Sequence, residues 1–373
     1  MSNKNYYTLE VTTTQQCNLR CTYCFEGDEL DNPKKPLSAL LVISKVKELL
    51  NDLEFIKIYN GITINFWGGE PTLNVEYCQQ IIAAFAREHN IEFFFYTNGY
   101  SYTNITKILN YAKMLDVNFK RIRMQISYDG IWNDENRVLK NQSGTSEKVM
   151  ETFSNLFEHY NDIHVSLKST LPVEKLVNDR RSVVENWKYF RALVQNYGQR
   201  ACYNPTLEYT NFYKLNEKQI DNMKHQLTKI TRLELEYFEQ NGSHVMSWYN
   251  VRNRQLCSAG MNIGNIDLDG NITMCHGSLY NDKKDDLIVG NIKGNNFVKN
   301  ILDMRSFHFS ELKEANNEVT ECTNCSATVC YQCPTVNYQH NGKFHQPKKD
   351  LCSIYKHFGL LSNTLYKYLR SES

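Results

Sequence analysis

Twelve cysteines in 373 residues limit what this chain can fold into more than any other feature, because ten of them fall in two tight groups. The first group is Cys17, Cys21 and Cys24; the second is Cys257, Cys275, Cys322, Cys325, Cys330, Cys333 and Cys352. Met1-Ser2-Asn3-Lys4-Asn5 leads into a polar strand pattern and not an apolar signal core, so a reducing, cytoplasmic setting is expected. Thiols clustered in that setting point to metal binding rather than to disulfides. Cys78 and Cys202 stand apart among apolar and aromatic neighbours, and read as buried structural thiols on a helix and a strand.

Charge adds only exclusions. Forty-two Lys and Arg against 41 Asp and Glu leave a net +1, which gives no reason to expect a nucleic-acid or membrane-surface partner. The longest apolar runs fall far short of the ~18 residues needed to span a bilayer. A hydrophobic content of 41% suffices for full globular cores.

Between residues 7 and 207, short β-type runs alternate with helical periodicity. The strand candidates are Tyr7 to Thr12, Ile62 to Trp67, Ile91 to Thr97, Arg121 to Ser127, Ile163 to Thr170 and Ala201 to Leu207. Helical patterns run from Leu37 to Leu53, Leu73 to Glu88, Asn104 to Leu115, Ser146 to Tyr160 and Arg181 to Tyr197. This alternation predicts an α/β fold with a parallel sheet whose working loops lie at the carboxyl ends of the strands. Two further strand-helix units cannot be found, so a partial (β/α)6 TIM-like barrel over residues 1–214 is expected. A charged helical bridge over 215–245 then leads into a region, 246–373, poor in helical pattern and rich in cysteine and turns, where metal clusters replace an apolar core.

Cys17-Asn18-Leu19-Arg20-Cys21-Thr22-Tyr23-Cys24 closely follows the first strand, so three thiolates share one loop at the end of the sheet. A structural zinc would want four ligands, and no fourth Cys or His follows at finger spacing; three suit a four-iron cluster with one iron open. With Phe25 after it, the run resembles the signature of the radical S-adenosylmethionine (radical SAM) superfamily. The resemblance implies a 4Fe-4S cluster whose open iron chelates the methionine part of S-adenosylmethionine. It also implies that Tyr23 and the Gly68-Gly69-Glu70-Pro71 motif serve the cofactor, with the glycines allowing close backbone approach and Glu70 receiving the methionine ammonium. Ser127 and Asp129 of Ser127-Tyr128-Asp129-Gly130 resemble the family's contacts to ribose or methionine, and Arg137 falls where relatives pair an arginine with the methionine carboxylate. Thr97-Asn98-Gly99 either lines the cofactor or is an ordinary turn.

The Asp267 to Ile272 stretch reads as a hairpin that brings Cys257 and Cys275 to one end. Together with Cys322-x2-Cys325-x4-Cys330-x2-Cys333 and Cys352, the pattern resembles the SPASM extension of radical SAM enzymes, which carries two auxiliary 4Fe-4S clusters. The family's central run has five and three residues where this chain has four and two, which leaves open how Cys330 and Cys333 divide between the clusters. By resemblance, Cys257, Cys275 and Cys333 hold one auxiliary cluster and Cys322, Cys325, Cys330 and Cys352 the other, leaving one iron without a thiolate. His276 is a candidate for that position or for an outer hydrogen bond to cluster sulfur, and is the one catalytic candidate. A pair of four-cysteine zinc sites is the alternative for this group.

What the resemblance implies is reductive cleavage of S-adenosylmethionine and hydrogen abstraction from a residue of a small ribosomal peptide, giving a thioether, carbon-carbon or other oxidative modification. Formylglycine formation in a sulfatase and dehydrogenation of a small molecule are the other readings. Sulfatase-maturing enzymes carry an Asp base where this chain has His276. A ferredoxin or flavodoxin is the implied electron donor. The 16 residues before Cys17 are too few for a leader-binding domain, so the expectation is recognition by the barrel and extension, recognition by a separate leader-binding protein, or a substrate without a leader.

Overall fold

The computed structural model describes residues 5–171, 175, 182–207, 216–247, 257–318, 324–325, 330, 332–347, 352 and 356. They divide into two compact units that do not run consecutively along the chain: 1–126 with 137–165 and 258–310, and 127–136 with 166–257 and 311–373.

The first unit is built on the strands β1 (Tyr6–Thr14), β2 (Gly61–Gly68), β3 (Ile91–Thr97) and β4 (Ile122–Ser127). Their neighbours pair in parallel, and β1 pairs in parallel on its other side with β7 (Ile263–Ile266). From β7 the sheet continues antiparallel through β8 (Asn271–Thr273) to β9 (Gly290–Asn291). The first four strands match the expected ones to within two residues at each end. Between them lie α1 (Ala39–Asn51), α2 (Leu53–Ile58), α3 (Val75–Ala84) and α4 (Tyr102–Met114), and α6 (Ser146–His159) follows β4.

Strand alternation gives the sheet two unlike faces. Leu9, Ile64, Phe93 and Ile122 lie in one register row and are fully buried, and Val11, Phe66, Phe95 and Met124 form the next. Burying side chains of this size contributes about 1.5–3 kcal/mol each. Tyr7 packs on the same side against Phe55 and Tyr59, with ring centroids 5.6 and 5.1 Å apart. The opposite face carries the row Asn265, Glu10, Asn65, Phe94 and Arg123. Polar and charged residues on that face are what a barrel interior used for chemistry requires.

The second unit contains most of β5 (His164–Leu171), which pairs in parallel with β6 (Pro205–Leu207), together with α5 (Asn133–Asn136), α7 (Ser182–Tyr197), α8 (Glu217–Asn241) and α10 (Pro334–Asn341). A further helix, α9 (Phe297–Glu318), starts in the first unit. α8 lies within the charged helical stretch expected over 215–245. Asn216 and Gln219 exchange side-chain-to-backbone bonds at 3.0 Å in a capping box that starts it. Buried Glu234 of α8 accepts from Trp187 Nε1 at 2.6 Å and from the Val245 amide at 3.2 Å.

Three sequence expectations need correction. The helix expected over Leu37 to Leu53 stops at Asn51, and a second helix begins at Leu53, because the Asp52 carboxylate accepts the Phe55 amide at 2.9 Å and starts α2 there. The strand expected over Ala201 to Leu207 is reduced to Pro205–Leu207. A 3₁₀ turn over Gly198–Ala201 precedes it, and Pro205, lacking an N–H, sits at the strand's first position. Cys202 therefore lies in the connection and is half-buried, whereas Cys78 is buried on α3 as expected.

Candidate functional site

β1 ends in the cysteine loop. Within it the Cys24 amide donates to the Cys21 carbonyl at 3.0 Å, and the Leu19 amide lies 3.4 Å from the Cys17 sulfur. The segment 137–139 runs back along this loop: Arg20 donates its amide to the Val138 carbonyl at 2.7 Å, and Leu19 bridges Leu139 antiparallel. Arg137 is buried, its guanidinium 5.4 Å from the centroid of the Tyr23 ring between Cys21 and Cys24. The Thr145 hydroxyl holds the Arg137 carbonyl at 2.7 Å. Cys17, Cys21, Cys24, Tyr23 and Arg137 are thus brought together.

The glycine motif leaves β2 and returns to the chain entering that loop. Gly69 and Glu70 donate their amides to the carbonyls of Thr14 and Gln16 at 2.9 and 2.8 Å. A Cβ at Gly69 would lie 2.5 Å from both the Gln15 and Gln16 carbonyl oxygens, and Gly68 has φ +134 with its Cβ position 2.1 Å from the Thr14 carbonyl oxygen. The glycines are therefore required by the approach of this turn to the end of β1, a reason not visible in the motif itself.

Glu70 is 1% exposed and its carboxylate is fully engaged. Oε1 accepts from the Thr72 amide, the Thr72 hydroxyl and the Thr97 hydroxyl at 3.0, 2.6 and 2.8 Å; Oε2 accepts the Asn98 amide at 2.6 Å. Burial raises its pKa against the effect of these donors. Asn98, which the sequence left between cofactor contact and ordinary turn, donates from Nδ2 to Asn18 Oδ1 at 2.8 Å and lies 3.9 Å from the Cys17 sulfur. The third strand end therefore supports the cysteine loop.

Burial, then the neighbouring Glu70, push the Cys17 thiol up to about 12, and burial raises Cys24. A multivalent cation would offset the cost of ionising Cys17 and Cys24 in such surroundings, and soft sulfur donors suit iron. The donor set fits a three-thiolate iron-sulfur cluster.

β8 ends just before Cys275, and the expected hairpin is present: the Asp267 amide donates to the Asn271 carbonyl at 3.1 Å. His276 stacks on Trp67 with centroids 3.8 Å apart; its Nδ1 is 2.9 Å from both Glu10 carboxylate oxygens, and its amide donates to Glu10 Oε2 at 2.7 Å. Glu10 and Trp67 escaped the sequence reading. The available signal was an acidic residue, Glu10, in the middle of a strand otherwise built of apolar residues and threonines.

The second unit contains Ser127, half-buried at the end of β4, and Asp129, which is fully buried. Asp129 Oδ1 accepts the Thr170 amide at 2.8 Å and Oδ2 accepts from Asn136 at 3.4 Å, so this carboxylate joins β5 to α5. Cys257, Cys325, Cys330, Cys333 and Cys352 also belong to this unit, none of them in a disulfide, and Cys333 immediately precedes α10. Cys322 lies outside the described residues.

The first strand thus ends in a loop whose three free thiols offer the donor set of an iron-sulfur cluster. Residues 11–171 match the family model of the Radical SAM superfamily, and this segment is a radical SAM domain, as the cysteine loop led us to expect. A GTP 3',8-cyclase of Helicobacter pylori (strain ATCC 700392 / 26695) is 30% identical over 175 residues, 46% of this chain and 48% of that protein. A cysteine-type anaerobic sulfatase-maturating enzyme of Clostridium novyi (strain NT) is 28% identical over 167 residues, 42% of either chain. The chain spans about half the length of the curated relatives it matches. Native anSMEcpe with bound AdoMet and Cp18Cys peptide superposes with a TM-score of 0.69 at 19% identity, covering 98% of this chain and 99% of that one. Streptococcus suis SuiB bound to precursor peptide SuiA gives 0.57 at 13% identity, covering 93% and 76%. This likeness is one of fold, and it extends beyond the barrel into the cysteine-rich extension. Among the described residues no helix is long and apolar enough to cross a membrane.

Proposed function

We propose that this chain is a cytoplasmic radical SAM maturase that oxidatively modifies a residue of a ribosomal peptide, with a SPASM extension carrying two auxiliary clusters. The observation that carries the reading is the cysteine loop, braced by Asn98 and by the 137–139 segment. The peptide is supported by the fold of neighbours solved with peptides bound. When bound, a reduced 4Fe-4S cluster and S-adenosylmethionine supply a 5′-deoxyadenosyl radical able to take hydrogen from an unactivated carbon.

Each residue has a part in this reading. Cys17, Cys21 and Cys24 hold the cluster, and Glu70 holds Asn98 against the loop. Arg137, whose guanidinium stands over the Tyr23 ring, offers itself to the methionine carboxylate, and Ser127 and Asp129 take the ribose or methionine contacts that their motif implies. His276 donates Nδ1–H to Glu10, leaving Nε2 to take the proton released as the substrate is oxidised. Cys257, Cys275, Cys322, Cys325, Cys330, Cys333 and Cys352 hold the auxiliary clusters, and a ferredoxin or flavodoxin supplies electrons.

Sulfatase maturation is the second reading, favoured by the Clostridium novyi relative. A His-Glu pair in place of the Asp base argues for a different substrate. Anaerobic incubation of reconstituted, dithionite-reduced enzyme with S-adenosylmethionine and candidate peptides tests both readings. We expect 5′-deoxyadenosine and a mass change in a precursor peptide. Unchanged 5′-deoxyadenosine formation by the Cys17, Cys21 and Cys24 triple alanine variant would overturn the radical SAM chemistry.

A further inference from the structure

β5 carries a cation that the proposed chemistry does not use. Along the strand Val165, Leu167, Ser169 and Leu171 are buried, while Ser166, Lys168 and Thr170 alternate on the other, part-exposed face. Interior and exterior positions alternate along every strand of a barrel, so these three share one face. Lys168 Nζ donates to Asn204 Oδ1 at 3.1 Å, and Asn204 is fixed because its own carbonyl accepts the Ser169 amide at 3.1 Å.

Among the described residues no carboxylate lies within ion-pair distance of Lys168, and the nearby Cys202 thiol, pushed up to about 11 by burial, supplies no negative charge. Burial holds the Lys168 amine down to about 8, so its charged form is costly where it stands. An ammonium has three donors and Asn204 takes one. With Oδ1 committed to Lys168, the Asn204 amide nitrogen is turned to donate as well. The result is two neighbouring donors, one charged, of the kind a carboxylate accepts from.

We propose that Lys168 and Asn204 form a binding point for a carboxylate of the peptide substrate, an acidic side chain or the C-terminal carboxylate. This rests on the peptide reading above, in which Arg137 already answers the methionine carboxylate of the cofactor.

Competitive labelling of the reconstituted holoenzyme tests it without turnover. Lysines are acetylated with a limiting reagent and the rate at Lys168 is read by mass spectrometry against the other lysines. The probes, at millimolar concentration, are N-acetylglutamate N-methylamide, its glutamine counterpart, and N-acetylalanine. We expect a carboxylate probe to slow acetylation of Lys168 at least about fivefold and the glutamine probe to leave it unchanged. Protection by the glutamate compound or by N-acetylalanine identifies a side-chain or a terminal carboxylate. Equal rates with all three probes would overturn the site, and protection by S-adenosylmethionine alone would overturn its assignment to the peptide. In calorimetric titrations Lys168→Arg should keep the carboxylate preference and Lys168→Met lose it, with thermal melts establishing that both fold. Failure of the peptide reading itself registers separately, as 5′-deoxyadenosine formed without any modified peptide.

Discussion

Glu70 Oε2 accepts the Asn98 amide at 2.6 Å while the Asn98 side chain bonds Asn18 inside the cysteine loop, so a carboxylate at the end of β2 governs the third strand end and, through it, the thiol loop. Glu70→Gln keeps the shape but turns an NH2 toward donors. Leaving one buried donor unmatched costs about 1–3 kcal/mol. We expect a lower melting temperature and lower iron retention after reconstitution, read by calorimetry and iron analysis.

Gly69→Ala should be worse than Glu70→Gln. The added Cβ would meet two backbone oxygens at 2.5 Å, and a strand end cannot yield as a flexible side chain can. The expected result is loss of the cluster's absorbance on reconstitution, with poorly soluble protein.

The Glu10-His276 pair predicts uncoupling. His276→Phe, which keeps a ring to stack on Trp67, should still form 5′-deoxyadenosine but yield on the order of a hundredfold less modified peptide, the usual contribution of a positioned base. Glu10→Gln should show a smaller loss of the same kind, and the double variant little more than His276→Phe alone, because the two act as one unit.

Arg121 predicts a stability effect remote from chemistry. Its guanidinium donates to the Ile91, Ala86 and Phe85 carbonyls at 2.7, 2.7 and 2.9 Å, tying the end of α3 to the start of β3. Arg121→Ala should destabilise by about 2–3 kcal/mol in denaturant titrations, and Lys should restore little, since a compact ammonium cannot reach three carbonyls in a plane.

Lys168 predicts a pH dependence of stability. Its folded value of about 8 lies below the ordinary 10.5, so the native state binds this proton less readily than the unfolded chain, and stability is lost as pH falls from 10.5 through 8. Lys168→Met removes the loss. Its melting temperature should exceed that of the wild type most at pH 7, and the difference should shrink toward pH 10.

Cysteine spacing predicts a count: about twelve irons per chain if three four-iron clusters assemble, with roughly two-thirds retained by the Cys17, Cys21 and Cys24 triple variant. Iron and sulfide analysis of anaerobically purified protein checks both figures.

The chemistry of this chain was readable in order along the sequence wherever it depended on neighbours a few residues apart. Three thiols within eight residues declare a cluster loop whatever surrounds them, and the expected third strand, Ile91–Thr97, is the observed one because alternation of buried residues is a local property. Asp52 shows where local reading ends: periodicity ran on through it, while its carboxylate bonded the backbone and restarted the helix. Pairings across the chain were beyond such reading. His276 meets Glu10 across 266 positions because β7 adds to the free side of β1, and Arg137 reaches Tyr23 because residues 137–139 return along the cysteine loop. Residue order determined which reactive groups this protein owns; packing of the sheet decided which of them meet, since burial and strand pairing are satisfied by the whole chain at once and leave no mark in any one segment.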